Sequence, residues 1–405
     1  MLFAASVAPA QTVSYFRMER NATSIAAGPD GNLWFVGGAD VGRITPLGEI
    51  TIFSVPYQTS SPGGNTAIVA GPNHLMWFIR PGGLSAIDMQ GNVTKYDTPL
   101  QPISLAAGAD EVWFGSMDTI GRVSKAGVVT LFPLPKEYRE KAVMSLAVDA
   151  QGNIWFNEFP FSELGIMGPS GGIIESSLCC GAPGSFAAGP GSVSLTFGKK
   201  FEKRSASSTQ VYELPHDPGI GSAEFSGLTY ASDGQLWFGT TLQYMGSVSS
   251  TGIHIIALPD VWMGIRNLIE GPDGNIWGAA EPVPSTCSLI CSPRVPPSVA
   301  IVRVNLVNPA PRITSIAKGN DPDTKAATLS IQGLGFVPNS IIRWNGIDRS
   351  TVYVSPYELQ LAPSEANLAL AYGGSFVAHN PTPGGGDSQA FTLAAAPSLR
   401  RRAVH

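Results

Sequence analysis

Apolar residues recur in a fixed arrangement along the first three-quarters of the chain. In the fullest copy, over residues 24–35, small and aliphatic residues precede a Gly-Pro-Asp-Gly turn, and a Leu-Trp-Phe run follows it. Partial copies occupy residues 66–78, 103–114, 144–156, 186–197, 226–238 and 267–278. The Trp of the motif stands at positions 34, 77, 113, 155, 237 and 277, and we assign Thr196 to its place in the fifth copy. A period of about 40 residues predicts one supersecondary unit stacked on its own copies.

Each copy contains four short apolar runs separated by turn residues. In the first copy these runs cover 25–28, 33–35, 41–44 and 49–53, and the Pro and Gly residues between them favour tight turns. Four antiparallel strands repeated seven times predict an all-β fold, with a seven-bladed β-propeller over residues 12–306. The seventh copy lacks a fourth run, whereas residues 12–18 form a strand pattern without a unit of their own. We therefore expect the N-terminal strand to complete the seventh blade and protect its edge.

A different pattern begins after residues 307–311, which are expected to link two domains. Short alternating runs over 312–394 predict a C-terminal immunoglobulin-like β-sandwich. Within it, Asn345-Gly346 predicts a hairpin turn, and residues 368–374 are expected to form a strand. Residues 395–405 are expected to be a disordered tail.

Charge and hydropathy exclude two classes of function. Only 14% of the residues are charged and the net charge is -5, so the chain lacks the basic footprint of a nucleic-acid-binding protein. The sequence contains no apolar run long enough to predict a transmembrane segment. Residues 1–11 are either a residual export signal, since Ala8-Pro9-Ala10 resembles a cleavage site, or a disordered terminus. The export reading predicts a secreted, periplasmic or cell-surface protein.

Four cysteines form two local pairs, Cys179-Cys180 and Cys287 with Cys291. In an exported chain they are candidates for disulfides, and both local pairing and cross-pairing are open. A four-thiolate metal site is the alternative, although neither pair has the usual zinc spacing.

Two family resemblances rest on specific motifs. The G-P-D-G-N-L-W-F turn and the V-G-R-I-T-P-L-G-E-I hairpin resemble the virginiamycin B lyase (streptogramin lyase) family over residues 12–305. Ile313-Thr-Ser-Ile316, Trp344-Asn-Gly346 and the stretch 380–391 resemble the IPT/TIG immunoglobulin-like family over 311–394. In secreted bacterial proteins, modules of that second family usually act as spacers or binding units and carry no catalytic residues.

The first resemblance implies a carbon–oxygen lyase that opens a cyclic depsipeptide by elimination, using a metal ion and a general base. The family motif implies a catalytic His shortly before the first strand of a blade and two metal-binding Glu residues on that blade. Positions corresponding to the His hold Thr23, Thr66, Ile103, Met144, Gly184, Ser226 and Arg266. Glu158 and Glu224 fill the two carboxylate positions singly and on different blades. Since Met and Ile cannot abstract a proton, the lyase residue set is expected to be absent.

The loops on one rim depart most from the repeat, and loops on a rigid scaffold commonly carry function. The expected ligand-binding residues on this rim are Tyr138, Glu158, Trp262, Arg266 and Glu270. The weaker catalytic candidates are His216, Asp217 and Arg266, and the weaker metal candidates are Glu158 and Glu224.

Three functions therefore remain open. The first is a secreted binding or scaffold protein for an extracellular ligand, protein or glycan, with no cofactor. The second is a lyase or other metal-dependent enzyme, with Mg²⁺ and a relocated site at the axial mouth of the propeller. The third is a glycan or cell-wall binder that uses Trp262 and Tyr138.

Overall fold

The computed structural model describes most of the chain. The described residues are 12–18, 22–57, 59, 66–135, 141–160, 163–177, 184–189, 192–205, 208–215, 223–232, 234–249, 252–258, 263–282, 299–320, 327–337, 339–355, 357–361, 363–382 and 384–395. They divide into two compact units, one built from residues 15–44 and 50–303 and one that includes the residues from 304 onward. Over these ranges the fold is almost entirely β, and none of their helices is long and apolar enough to cross a membrane.

Between residues 12 and 305, the described residues form seven four-stranded sheets. The first strands of the sheets (the inner strands) are β2 (Ser24–Ala27), β6 (Ile68–Gly71), β10 (Ser104–Ala107), β14 (Ala142–Val148), β18 (Phe186–Gly189), β22 (Phe225–Tyr230) and β26 (Met263–Glu270). The second strands are β3 (Leu33–Gly37), β7 (Leu75–Arg80), β11 (Glu111–Ser116), β15 (Ile154–Phe159), β19 (Ser192–Phe197), β23 (Leu236–Thr240) and β27 (Ile276–Pro282). A 3-10 turn, Pro72–His74, joins β6 to β7.

The outer half of each sheet continues in the same order. The third strands are β4 (Asp40–Ile44), β8 (Gly83–Ile87), β12 (Thr119–Ser124), β16 (Glu163–Met167), β20 (Lys200–Ser205), β24 (Tyr244–Ser249) and β28 (Val299–Asn305). The fourth strands are β5 (Ile50–Ser54), β9 (Val93–Asp97), β13 (Val129–Pro133), β17 (Ile173–Ser177), β21 (Thr209–Glu213), β25 (Gly252–Ala257) and, in the seventh sheet, β1 (Thr12–Arg17). The inner strands contact one another in a closed cycle, from β2 through β26 and back to β2.

The seventh sheet has the strand order β1-β28-β27-β26, so the N-terminal strand is its outermost member. The Phe16 ring in β1 stacks on the Trp277 ring of β27, with centroids 5.2 Å apart. Asn305 at the end of β28 donates a hydrogen bond from Nδ2 to Ser14 Oγ, at 3.2 Å. The strand that the sequence assigns to this sheet thus supplies both a core aromatic ring and a polar contact.

The recurring turn and the Trp that follows it are joined by hydrogen bonds. In the first sheet, Asp30 accepts one bond from the Trp34 ring nitrogen at 3.0 Å and others from Asn32. Asp273 accepts in the same way from Trp277, at 2.9 Å. Although burial favours the neutral form, these donors hold the pKa of Asp30 below its usual value. In the first, fourth and seventh sheets the motif thus fixes the turn and orients the Trp at the same time.

In the fifth sheet, the residue at the position of the recurring Trp differs from the one that the sequence predicts. Ala187 of β18 pairs with Ser194, as Ala147 of β14 pairs with Trp155. The position of the missing Trp is therefore held by Ser194, and the assignment of Thr196 is wrong by two residues. Tyr230 of the next inner strand fills the space, because its hydroxyl lies 2.9 Å from Ser194 Oγ and its ring lies against Gly189.

The second unit contains two sheets and one helix. One sheet has the order β29 (Arg312–Asn320), β30 (Ala327–Leu334), β34 (Glu358–Leu361), β33 (Thr351–Ser355). The other has the order β32 (Ile347–Arg349), β31 (Ile341–Trp344), β35 (Gly374–Asn380), β36 (Gly386–Asp387), and β37 (Phe391–Leu393) also pairs with β35. Asn345 and Gly346 have φ of 51° and 79° between β31 and β32, as the hairpin prediction requires. Apolar residues of both sheets share one core, including Leu329, Ile331, Trp344 and Phe376.

The strand expected at 368–374 is instead part of helix α1 (Pro363–Tyr372). Pro at the first position suits a helix start, and the Ala and Leu residues that follow have high helix propensity. Ala366 and Ala369 lie three residues apart, on one face, and are fully buried. Gly373 then adopts a φ of +61° and donates to the Ala369 carbonyl at 2.9 Å, which ends the helix.

Candidate functional site

A cavity of about 220 Å³ lies where the inner strands begin. Its wall contains residues from six of the seven inner strands or from the positions just before them. The lining residues are Thr66, Ala67, Ile103, Ser104, Leu105, Met144, Ser145, Leu146, Ser185, Gly227, Leu228, Asn267 and Leu268. The cavity therefore occupies the axial mouth of the cycle of inner strands, on the side that carries the loops entering them.

Side-chain hydrogen bonds join neighbouring inner strands around this mouth. Ser104 Oγ donates to the Val143 carbonyl at 2.7 Å, and Ser185 Oγ donates to the Ser226 carbonyl at 2.6 Å. Ser226 Oγ continues the series by donating to the Ile265 carbonyl at 2.6 Å. Asn267 Oδ1 accepts from the Ile25 backbone N–H at 2.8 Å, across the junction between the seventh and first sheets.

These bonds determine what the mouth offers to a ligand. A serine whose proton is donated to a carbonyl keeps only acceptor capacity on its oxygen. Each bond also fixes the spacing of two adjacent strands, so the mouth is preorganised. The sequence analysis did not predict these serine hydrogen bonds. A Ser does stand at the first position of four inner-strand motifs (Ser24, Ser104, Ser145 and Ser185), and that recurrence could have indicated a shared role.

Three of the seven positions that correspond to the catalytic His of the lyase family line this cavity. Thr66, Ile103 and Met144 line the cavity directly. Thr23 Oγ1 donates to the Val36 carbonyl at 3.0 Å. None of the described residues that line the cavity carries an ionisable side chain. Within these residues the mouth holds no group that could act as a general base.

Glu158 lies in a buried ion cluster at the end of the fourth sheet. Its carboxylate is fully shielded from water, and its Oε2 lies 2.8 Å from Lys141 Nζ. The same ammonium group lies 2.8 Å from Glu163 Oε2 and 3.4 Å from Glu175 Oε2. The Lys141 side chain is only 2% exposed, so one buried cation serves three carboxylates.

The backbone places each member of this cluster. Glu158 is paired with Val143 on one side and with Glu163 on the other, and Glu175 lies in the neighbouring strand β17. Lys141 precedes β14 and is held by the third sheet, because its N–H donates to Asp118 Oδ1 at 2.6 Å. The Lys141 carbonyl in turn accepts from the Asp118 N–H at 2.7 Å.

Burial raises the pKa of Glu158 to about 8, because the charged carboxylate loses its hydration. Lys141 opposes this shift, whereas a hydrogen bond from the protonated carboxyl to Glu163 supports it. Lys141 holds the pKa of Glu163 below its usual value. Burial disfavours the charged Lys141, but its hydrogen bonds to Glu158 and Glu163 raise its pKa above the usual value. The cluster is therefore cationic at its centre and retains a proton on Glu158 near neutral pH.

The other expected site residues lie outside both the axial cavity and the ion cluster around Lys141, or they lie outside the described residues. Glu224 is exposed before β22 and does not belong to the acidic cluster. Glu270 is the last residue of β26, two positions beyond the cavity-lining Leu268, and it does not itself line the cavity. Its carboxylate accepts from Ser232 N and Oγ at 2.6 and 2.7 Å. Arg266 lies in β26 at a register shift, and its side chain is not among the described atoms. The candidates outside the described residues are Tyr138, His216, Asp217, Trp262, Cys179, Cys180, Cys287 and Cys291.

The donor groups do not fit the metal ion that the lyase resemblance implies. Among the described residues, the acidic side chains that converge on one point are Glu158, Glu163 and Glu175. The point between them is taken by the Lys141 ammonium group. A magnesium site requires several anchored oxygens around an open position, and neither this cluster nor the axial cavity offers that arrangement.

Known proteins share the fold of the first unit. Residues 5–192 match the model of the virginiamycin B lyase family. A solved streptogramin B lyase is 18% identical, with a TM-score of 0.59, and the match covers 72% of this chain and 97% of that one. A catalytically inactive virginiamycin B lyase from Staphylococcus aureus with quinupristin is 17% identical, with a TM-score of 0.60 and coverage of 74% and 100%.

A longer match extends to the extracellular domain of a putative one component system from B. thetaiotaomicron. It is 12% identical, with a TM-score of 0.58, and covers 96% of this chain and 59% of that one. No curated protein matches the sequence. At these identities the structural matches establish the fold, which is a virginiamycin B lyase-like propeller type.

Proposed function

We propose that this protein is an extracellular binding protein whose axial cavity takes a small uncharged ligand. The observation that carries the proposal is the lining of the cavity, where the described side chains are hydroxyl, amide or apolar and none is ionisable. An elimination reaction needs a base within hydrogen-bond reach of the substrate proton, whereas recognition needs only shape and a few polar groups.

The architecture that we propose for this role has two parts. Residues 12–306 form a seven-bladed β-propeller that the N-terminal strand closes. Residues 312–394 form an IPT/TIG-type immunoglobulin-like module, joined by the linker 307–311, that acts as a spacer or as a second binding unit. The extracellular neighbour and the Ala8-Pro9-Ala10 motif support a secreted, periplasmic or cell-surface location.

The size of the cavity limits the ligand. Sites for drug-sized molecules usually measure about 300–1,000 Å³. A cavity of about 220 Å³ is smaller, so it suits one ring-sized group rather than a whole macrocycle. Acceptor oxygens and aliphatic side chains together favour a neutral ring that carries hydroxyl or amide donors. A sugar ring meets this description, which keeps the glycan alternative within the proposal.

The second candidate is a lyase or other metal-dependent enzyme, and the family match over residues 5–192 favours it. Such an enzyme would need a base and a metal site supplied by residues other than the described lining. His216, Asp217 and Arg266 remain the candidates for that chemistry.

Ligand-observed NMR with a panel of neutral monosaccharides and cyclic amides tests the binding proposal. Ser145→Trp fills the mouth of the cavity, whereas Thr51→Trp makes the same change at an exposed position of the first sheet. We expect a neutral ring compound to bind the wild type and Thr51→Trp and to lose at least about tenfold in affinity with Ser145→Trp. Binding of charged compounds alone, or binding that Ser145→Trp leaves unchanged, contradicts the proposal.

A further inference from the structure

Exposed apolar side chains lie beside the axial cavity, at the mouth end of the third and fourth sheets. Met117, Met144 and Phe159 are 43%, 36% and 55% exposed. Among the described residues of the seven sheets, the other exposed large apolar side chains lie on fourth strands or in a turn, and they are Ile52, Val128, Ile174 and Val211. The exposed apolar surface at the mouth is therefore concentrated on one side.

Strand pairing makes this surface continuous. Ala142 of β14 pairs with Phe159 of β15 on one side and forms a β-bridge with Met117 of the third sheet on the other. Residues directly opposite each other on neighbouring strands face the same side, with Cβ atoms about 5 Å apart. The small Ala142 thus lies between two large apolar side chains. We refer to Met117, Ala142, Met144 and Phe159 as the apolar shelf.

Met144 connects the apolar shelf to the cavity. It is the extra residue at the register shift between Val143 and Ser145 in β14. Such a bulge turns a side chain out of the regular alternation of a strand. Met144 is exposed and also lines the cavity, two residues after Ala142, which is about 7 Å along a strand. A ligand seated in the cavity can therefore extend directly onto the apolar shelf.

The composition of the apolar shelf favours an aromatic group. Phe159 offers a ring for stacking, and the thioethers of Met117 and Met144 make favourable contacts with aromatic rings. The cavity, at about 220 Å³, has room for one ring-sized group, so a second group of the same ligand must lie outside it. Contiguous exposed apolar surface of this kind marks a binding site, whereas single exposed apolar residues are ordinary.

We infer that the ligand is a neutral ring with an aromatic substituent, and that the ring occupies the axial cavity while the substituent lies on the apolar shelf. This inference rests on the proposed function, because it adds a second subsite to the same mouth. An aryl glycoside has this chemistry. The hydroxyl and amide groups of the cavity select the ring, and the apolar shelf selects the substituent.

Matched methyl and phenyl β-glycosides of glucose, galactose and N-acetylglucosamine test the apolar shelf separately from the cavity. The two members of each pair differ only in the substituent. Ligand-observed NMR with the full chain gives their affinities. In a pair that binds, we expect the phenyl member to bind roughly tenfold more tightly, because much of its ring leaves water on the apolar shelf.

Met117→Gln combined with Phe159→Gln makes the apolar shelf polar and changes no residue that lines the cavity. Val128→Gln is the matched control. Val128 is 62% exposed, and its N–H donates to Ser124 Oγ at 3.2 Å, at the opposite end of the third sheet from Met117. The double variant should bind methyl glycosides as the wild type does, which shows that it is folded, and should lose the phenyl advantage. Val128→Gln should keep that advantage.

The outcomes separate the apolar shelf from the cavity. Equal affinity of the wild type for both members of a pair overturns the inference and leaves the proposed function standing. A phenyl advantage that persists in the double variant does the same. If no member of any pair binds, the proposed function fails for sugars, and the inference is overturned with it.

Discussion

Phe16 stacks on Trp277, with ring centroids 5.2 Å apart and an interplanar angle of 17°. Arg303 lies over both rings, as Arg43 lies over Trp34 and Phe53 in the first sheet. Phe16, from the N-terminal strand, thus stacks on the Trp of the seventh sheet as Phe53, from the fourth strand, stacks on the Trp of the first sheet. The seventh sheet depends on this residue for its outer core.

Phe16→Ala should lower the free energy of unfolding by about 3–5 kcal/mol, because Phe16 is 1% exposed and its removal leaves a cavity beside Trp277. Urea unfolding followed by Trp fluorescence measures the change. Ile174→Ala is a suitable control, since Ile174 lies on the fourth strand of another sheet and is 73% exposed. Equal effects of the two substitutions would contradict the closing role of β1.

The pKa of Glu158 predicts an unusual dependence of stability on pH. Its value is about 8 in the folded protein and 4.5 for the unperturbed group, so between these values the folded state holds a proton that the unfolded state has lost. Stability is therefore expected to fall as pH rises from about 5 to 8, because unfolding then releases this proton. Glu163, whose pKa is lowered, acts in the opposite sense and loses its contribution in acid.

Glu158→Gln isolates the Glu158 contribution, because glutamine keeps the shape and does not ionise. The variant should gain stability relative to the wild type as pH increases from 5 to 8, measured as Tm in matched buffers. Glu213→Gln, in the exposed pair with Lys200, should follow the wild type throughout. Parallel curves for Glu158→Gln and wild type would mean that Glu158 is already ionised at pH 5.

Tyr230 and Ser194 should be energetically coupled, because the Tyr230 ring occupies the space of the missing Trp. Ser194→Trp alone should destabilise by about 1–3 kcal/mol through overpacking, and Tyr230→Ala should destabilise by leaving a void. The double variant should be more stable than the sum of the two changes predicts, by about 0.5–3 kcal/mol. Additive effects in urea unfolding would show that the two side chains do not share one space.

Strong local signals made the sheets predictable from the sequence. The turn with its Asp and Gly, followed by Trp, is repeated closely enough to place strands such as β3 and β27. In the fifth sheet the Trp is absent, and the pairing of Ala187 with Ser194 is decided by the register of the strands. Helix α1 was missed because a short Ala- and Leu-rich run has no clear periodicity, and its buried Ala366 and Ala369 appear only in the packed structure.

The site was less predictable because it depends on contacts between strands. Glu158 was expected on a solvent-exposed rim, yet it is buried with Phe156 and Ile154, which lie two and four residues earlier on the same face of β15. Strand alternation alone could have indicated that burial. Lys141 was missed because a charged run before a strand usually faces solvent, and only the third sheet, through Asp118, brings it inward.

The most direct test of the binding proposal is incubation of the full chain with a streptogramin B and magnesium, followed by mass spectrometry and chromatography. Elimination opens the ring without changing the mass, so chromatography separates cyclic from linear antibiotic. A known virginiamycin B lyase serves as the positive control. We predict that the antibiotic remains cyclic after prolonged incubation at stoichiometric protein. Appearance of the linear product, together with its loss in a His216→Ala variant, would contradict the proposal and establish a relocated lyase site.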